Sequence, residues 1–426
     1  MPSLAALTVA ALVAGCGGGG GTGSSGADGN TLTLWTHNAG NAAEYAVVKR
    51  VVKDFNASQS RYKVKIQSFP QGSYNDSVVA AASARKLPCI LDVDGPNVPN
   101  WAWGGYLAPL DLSKGKVAVS GQLPGTVGKY QDKNYAFGFY DVALTMYSRT
   151  SVLKKYHIRI PTLDRPWTKS EFMDALARLK ASGKFTHPLD LGTGDPGEWW
   201  TYAYSPMLQS FGGDLIDRST YKTAKGELNG AKAIAWGKWF RSLVTKNYTP
   251  QKSGKSPGDD FRNGKTAIQW DGSWSAEANT KKFGKDLAVL PPVDFGEGPK
   301  IGAASWQWGM SSTCSNKAGA QAYLNFSRQT KYFVDFAKAT GTIPATKAAA
   351  ARVKGYEPGG RFDFFLREAR KLAVVRPVTP AYPYVSTVFA KAARDILAGA
   401  DAKGALDRAV SQIDRNLSTS NYSTGS

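Results

Sequence analysis

Residues 31–93 switch regularly between two hydrophobic periods, and this switching restricts the fold more than any other stretch. Leu32 and Leu34 alternate with polar neighbours over 31–36, which predicts a strand. Val48, Val51, Val52 and Phe55 then fall on one helical face over 41–56. Tyr62, Val64 and Ile66 alternate again, and helical spacing resumes over 73–86 until Pro88 stops it. The apolar run 89–93 reads as a third strand that ends at Asp94 and Gly95. Strands alternating with helices build a largely parallel sheet, whose ligands bind beyond the carboxyl ends of its strands. The expected class is α/β, with His37, Asn38, Asp94 and Gly95 at those ends.

Upstream lies a different kind of sequence. The apolar run 4–14 is far shorter than the roughly 20 residues that span a bilayer, so it reads as the apolar core of an export signal. The positive charge that normally opens such a signal is missing before Leu4. Val13, Ala14, Gly15 and Cys16 read as a lipobox, in which the chain is cut before the cysteine and the thiol takes a lipid. Residues 17–30, GGGGGTGSSGADGN, cannot bury apolar surface and read as a flexible spacer. The expectation is a signal peptide over 1–15, a lipid-anchored tether over 16–30, and a body outside the cell on the outer face of the cytoplasmic membrane.

The body that begins at Thr31 is longer than one hydrophobic core usually organises, so two domains are expected. With Cys16 assigned to the anchor, Cys89 and Cys314 remain as a possible disulfide in an oxidising compartment. The net charge of +20 comes from Lys and Arg scattered in ones and twos, without a basic block, which argues against nucleic acid. A basic surface facing anionic head groups or wall polymers accounts for it; an anionic ligand is the alternative. The glycine run at 17–21 lacks the Lys-Ser or Lys-Thr of a phosphate-binding loop, and neither a dinucleotide fingerprint nor an HExxH motif is present. With three histidines spread along the chain, no metal or cofactor is expected.

Further along, 135–148 predicts two strands broken near Asp141, too short a break for a helical crossover. Thr168 followed three residues later by Glu171 predicts a capping box opening the helix to Lys180. A helix is expected over 199–209, a strand over 266–270 running into the turn Asp271-Gly272-Ser273-Trp274, a strand over 303–312, one helix over 317–338, and mostly helix over 384–415.

In that order the phrases TLTLWTHN, PCILDVDGPNVPNWAWGGYLAPLD, YAFGFYDVALTMYSRTSVLKKYHI, PWTKSEFMDALARLK, SFGGDLID, FRNGKTAIQWDGSW, WQWGMSSTCSNKAGAQAYLNF and GTIPATKAA resemble the family 1 extracellular solute-binding proteins. These are the sugar-capturing lipoprotein partners of ABC importers. The resemblance runs from Thr31 to about Leu417. It implies a two-lobed, periplasmic-binding-protein-like type II fold, with a hinge of crossing strands and a ligand cleft. The implied lobes are 31–140 plus 307–352 and 141–306 plus 353–426. The family usually carries Asp where this chain has Cys89, and a basic or polar residue near Cys314; on its topology the two cysteines end neighbouring strands, which implies a Cys89–Cys314 disulfide. The implied partners are a sugar and the membrane permease, with the chain a monomer.

A sugar offers flat C–H faces and a rim of hydroxyls, so its site needs aromatic platforms and short polar side chains. Trp35, Trp199, Trp200, Trp270, Trp274, Trp306 and Trp308 fall in segments that the resemblance places around the cleft. Trp35, inside a strand, is expected in the core. Alternation puts Trp306 and Trp308 on the same face, while Trp199 and Trp200 cannot share a direction on a helix. His37, Asn38, Glu44, Asp94, Asp141 and Asp271 are the polar candidates, with Arg361 and Tyr384 beside them. Asp271, standing before a glycine, is equally a turn residue. Two rivals remain. Arg361 and Arg376 suit an anionic solute such as a glycerophosphodiester, and Glu198 with Asp271 suits the carboxylate pair of a lipid-anchored glycosidase.

Overall fold

The computed structural model describes residues 29–254, 258–303, 306–420 and 422. Cys16, the signal sequence and the tether up to Asp28 lie outside them. Within them, β1 (Thr31–Ala39) passes through the helix Ala42–Ser58 to β2 (Lys63–Pro70), and the helix Gln71–Ser83 leads to β3 (Ile90–Asp94). The Asn41 side chain accepts from the Glu44 N–H, so a helix donor that would lack a partner is satisfied. Val47, Val48, Val51, Val52 and Phe55 from that first helix pack into the core with Leu32 and Leu34 of β1.

β1 pairs with β2 and β3 in parallel. There the parallel character stops, and the largely parallel sheet expected from the sequence is mixed. β4 (Leu107–Ala108) is short, and β5 (Val127–Tyr130) and β6 (Lys133–Phe137) form a hairpin. Its two turn residues, Gln131 and Asp132, both have positive φ, the geometry that suits a two-residue hairpin. β7 (Tyr140–Asp141) then leaves the sheet. β8 (Leu144–Arg149), β9 (Leu189–Asp190), β10 (Ile268–Gly272) and β11 (Leu287–Leu290) make a second sheet in the order β11-β8-β10-β9. After β12 (Ile301–Ala303), β13 (Trp306–Ser311) returns to the first sheet from the opposite direction and lies antiparallel between β3 and β6. β14 (Ile343–Pro344) pairs with β7, and β15 (Ala373–Val375) pairs with β12. The chain therefore passes between the sheets near Tyr140, near Trp306 and after Pro344, giving a two-lobed, periplasmic-binding-protein-like α/β fold.

The helix expected over 317–338 is two helices, Lys317–Ser327 and Thr330–Thr340. Between them Arg328 turns inward, and its guanidinium donates to the carbonyls of Leu112 and Val117. A buried cation needs such acceptors, and an uninterrupted helix would not direct Arg328 to them. Thr168 and Glu171 form the capping box. Cys89, before β3, is bonded to Cys314, beyond β13, with the two Cα atoms 4.5 Å apart. Among the described residues no helix is long and apolar enough to cross a membrane.

Candidate ligand-binding site between the lobes

Because β13 runs against β3, its first residue, Trp306, lies opposite Asp94, the last residue of β3. Trp306 thus stands at the strand ends, while Trp308, two positions on, is carried to the middle of the sheet. Trp308 packs edge-on to Phe139 and against Phe336, and is core rather than cleft. Both indoles share a face, as alternation requires; distance along the strand separates their roles.

Trp306 stacks on the His37 ring at 3.7 Å. His37 is buried, its Nδ1 lies 2.7 Å from Asp92 and its Nε2 lies 3.7 Å from Glu44. Burial opposes its protonation, but Asp92, Glu44 and Asp94 outweigh burial and raise its pKa. Glu44 is buried, and it accepts from the Tyr140 hydroxyl at 2.8 Å and from Asn41 at 2.9 Å. Burial raises its pKa, and His37 partly offsets this. Asn38 is buried and donates to Thr36. His37 and Glu44 are therefore interior groups that support Trp306 and β7, and Asn38 is buried with its side-chain carbonyl oxygen lacking a hydrogen-bond partner, where the sequence pattern suggested ligand contacts for all three. Asp141 is also buried and accepts from the N–H of Val142, the residue that follows β7.

In the second lobe the strand β10 ends in the turn 271–274. Asp271 accepts from Gln269 at 2.6 Å, Ser275 at 2.5 Å and the Gly272 N–H at 2.8 Å, so it locks the turn. Burial, reinforced by Asp190 and Asp195, raises its pKa to about 6. The turn presents Trp274, 36% exposed. Gly272 is the floor beneath it, because a β-carbon there would overlap the indole. Gly192 does the same for Trp199, whose Nε1 would lie 2.9 Å from an added β-carbon. Trp274 stands 6.3 Å from Trp199 and 6.2 Å from Tyr202, at interplanar angles of 74° and 36°. These three rings form an inclined aromatic wall. Gly272→Ala is expected to lift Trp274 from its seat and weaken ligand binding at least tenfold while costing under about 2 kcal/mol of stability, in the range of ordinary point changes. Titration followed by tryptophan fluorescence, beside a melting curve, checks both.

Arg376 joins the lobes. Its guanidinium lies 2.6 Å from Glu198 and 3.7 Å from Asp94, and stands 5.1 Å from the Tyr202 ring centre. Glu198 also accepts from Ser386 at 2.6 Å and from the Tyr382 hydroxyl. Burial raises the Asp94 pKa to about 6; Arg376 opposes this and Glu198 adds to it. Close by, Asn100 donates to the Pro380 carbonyl at 2.7 Å.

The remaining candidates scatter. Trp200 is buried, donates to the Asp195 carbonyl and lies under Arg394, so it is packing. Arg361 is exposed with its guanidinium over Phe362, and Tyr384 is exposed in the first turn of the helix Tyr382–Ala398; among the described contacts neither joins the cluster. Trp35 is partly buried beside Phe69, and Trp270 is buried in the second lobe. Sequence reasoning assigned Tyr202 and Tyr382 nothing, and took Arg376 and Glu198 only as parts of rival readings. The spacing of Trp199 and Tyr202, three apart on one helix, was the available signal. Among the described residues no group of three or more His, Cys, Asp or Glu could hold a metal ion.

Two lobes joined by crossing segments, with an aromatic wall in one and polar side chains bridging to the other, define a hinged solute-binding protein. The chain belongs to the bacterial extracellular solute-binding protein family, whose sequence model matches residues 50–358. It is 23% identical over 364 residues to an uncharacterized lipoprotein from the oleD 5′ region of Streptomyces antibioticus, covering 80% of this chain and 75% of that one. It is 25% identical over 421 residues to an sn-glycerol-3-phosphate-binding periplasmic protein of Rhizobium meliloti, covering 90% and 93%. Among solved structures it resembles the GacH receptor of Streptomyces glaucescens, studied unliganded and with acarbose and an acarbose homologue. The TM-score there is 0.75, at 22% identity over 92% of this chain and 99% of the other.

Proposed function

We propose that this protein is the extracytoplasmic, lipid-anchored binding component of an ABC importer and captures a di- or oligosaccharide between its lobes. The lobes are taken as 31–140 plus 307–352 and 141–306 plus 353–426. They turn about the crossing segments, where a few backbone dihedrals absorb the motion. The observation that carries the reading is the wall of Trp199, Tyr202 and Trp274, two of its indoles lying over glycine. Such inclined rings suit the apolar faces of sugar rings. Asp94 and Arg376 supply an acceptor and a donor for hydroxyls opposite them. The lipidated Cys16, a monomeric state and delivery to a permease complete the proposal, supported by the family and by the lipoprotein relative.

The arrangement argues against catalysis by the Glu198 and Asp271 pair. Each carboxylate is already held by three internal donors, which leaves little freedom to move a proton to a substrate. The Rhizobium relative favours a phosphorylated solute as a second reading. Against it, the carboxylates of Glu198 at 2.6 Å and Asp94 at 3.7 Å flank the Arg376 guanidinium and would repel a phosphate placed there, a repulsion that neutral hydroxyls do not meet. A thermal-shift screen decides. A saccharide at about 100 times its Kd stabilises by about 2.7 kcal/mol, and the melting temperature rises by several degrees. Stabilisation by sn-glycerol 3-phosphate with no saccharide response overturns the sugar reading, and steady release of a cleaved product overturns the binding role.

A further inference from the structure

One stretch of the first lobe meets the second at successive depths. β3 ends at Asp94 and runs through the turn Gly95–Asn97 into the helix Val98–Trp103. Innermost, Asp94 faces Arg376 at 3.7 Å, with its side chain 14% exposed. Further out, Asn100 donates to the Pro380 carbonyl at 2.7 Å. Outermost, Trp103 follows Asn100 on the same helix face and is 39% exposed, and its ring meets that of Tyr422 at 5.0 Å between centres and 60° between planes. Each ring of this outer pair is fixed to a different lobe. The helix that carries Trp103 packs on β4, β5 and β6 of the first sheet. Tyr422 donates through its hydroxyl to Asn416 at 3.0 Å, in the last turn of the helix Ala402–Thr419. That helix packs on the helices Ala231–Thr245 and Tyr382–Ala398 of the second lobe.

The chain crosses between the lobes near Tyr140, near Trp306 and after Pro344, and neither Trp103 nor Tyr422 lies on those segments. Residues 94–103 move with the first lobe, so a rotation that parts Asp94 from Arg376 also draws Trp103 away from Tyr422. Contact between rings is lost over a short distance, since a gap of about 0.5 to 1 Å already forfeits a quarter to a half of the attraction. We infer that Trp103 and Tyr422 form a latch at the outer end of this seam, through which the segment after the helix Ala402–Thr419 holds the lobes together and sets how long a solute stays enclosed. An aromatic pair of this kind shifts such an equilibrium by about three- to tenfold. The inference rests on the hinged reading above and on no particular solute.

The test needs no ligand. The full-length protein is labelled with 5-fluorotryptophan, and the fluorine signals of Trp103 and Trp306 are assigned from Trp103→Phe and Trp306→Phe. Trp306 stands opposite Asp94 at the strand ends, so saturation-transfer exchange at its signal reads the populations of joined and parted lobes. Tyr422→Ala should raise the parted population at Trp306 by about three- to tenfold. Tyr422→Phe keeps the ring and loses the hydroxyl bond to Asn416, and should raise it less. Trp103→Ala should act as Tyr422→Ala does, and the two together should do no more than either alone. Unchanged populations at Trp306 in Tyr422→Ala, with only the Trp103 signal altered, overturn the latch and leave the hinge standing. A single state at Trp306 in parent and variants alike overturns the latch together with the hinged motion. Melting curves show which variants are folded, and if Trp103→Ala is not, Tyr422→Ala decides alone, because Tyr422 lies outside the helices and strands.

Discussion

Replacing Cys89 and Cys314 together by Ala is expected to lower the stability of the folded protein by about 3 to 5 kcal/mol. The bond spans a sequence separation of 225 residues. Chain-entropy reasoning for so long a loop gives on the order of 5 kcal/mol, an upper figure because residual structure already restricts the unfolded chain. The location adds weight. The bond joins the start of β3 to the end of β13, the strand that returns from the other lobe to complete the first sheet. Urea unfolding of the double variant beside the parent measures the loss, and a midpoint change worth under about 1 kcal/mol would show that the bond restricts the unfolded chain far less than its span requires. Labelling of denatured parent protein should find no reactive thiol at these two positions before reduction.

Arg376→Ala should cost about 3 kcal/mol, the amount typical of removing one partner from a buried ion pair. Arg376 is 5% exposed, and its loss strips Glu198 and Asp94 of their shared cation. The loss should depend on pH. The folded-state pKa of Asp94 is already raised, to about 6 against an ordinary 3.8, and without Arg376 it rises further. A carboxylate whose folded pKa is raised gives up stability as pH climbs from its unfolded value through its folded one. The variant should therefore lie nearest the parent around pH 4 to 5 and farthest from it above pH 7. Melting curves across that range check the sign, and a loss that grows on acidification would show that Asp94 is not coupled to Arg376. Arg376→Lys should recover only part of the stability, since an ammonium cannot reproduce the guanidinium fork.

The parts of the fold that were legible are those set by local pattern. The periods over 31–93 placed β1, β2 and β3 with their helices, and the Thr168–Glu171 spacing placed a helix start, because side-chain period and capping act within a few residues. The direction of β13 was not legible. It depends on how the chain returns from the second sheet, and that return made the first sheet mixed rather than parallel. The break at Arg328 was hidden for the same reason, since its acceptors, Leu112 and Val117, lie more than 200 positions away.

For the site, the tryptophan-rich segments were legible as segments but not as roles. Trp306 and Trp308 have the same residue type and face, yet only the register against β3 sets one at the strand ends and the other in the core. His37, Glu44 and Asp271 carry the right chemistry for a ligand, and tertiary contacts commit them to inner support instead. By itself the sequence determined the local elements, the family and the supply of indoles and carboxylates, since each is written in short-range spacing or ordered phrases. The tertiary structure alone decided which of those groups meet across the lobes and which are buried, because the pairing of Arg376 with Glu198 and Asp94 requires segments far apart in the chain to converge.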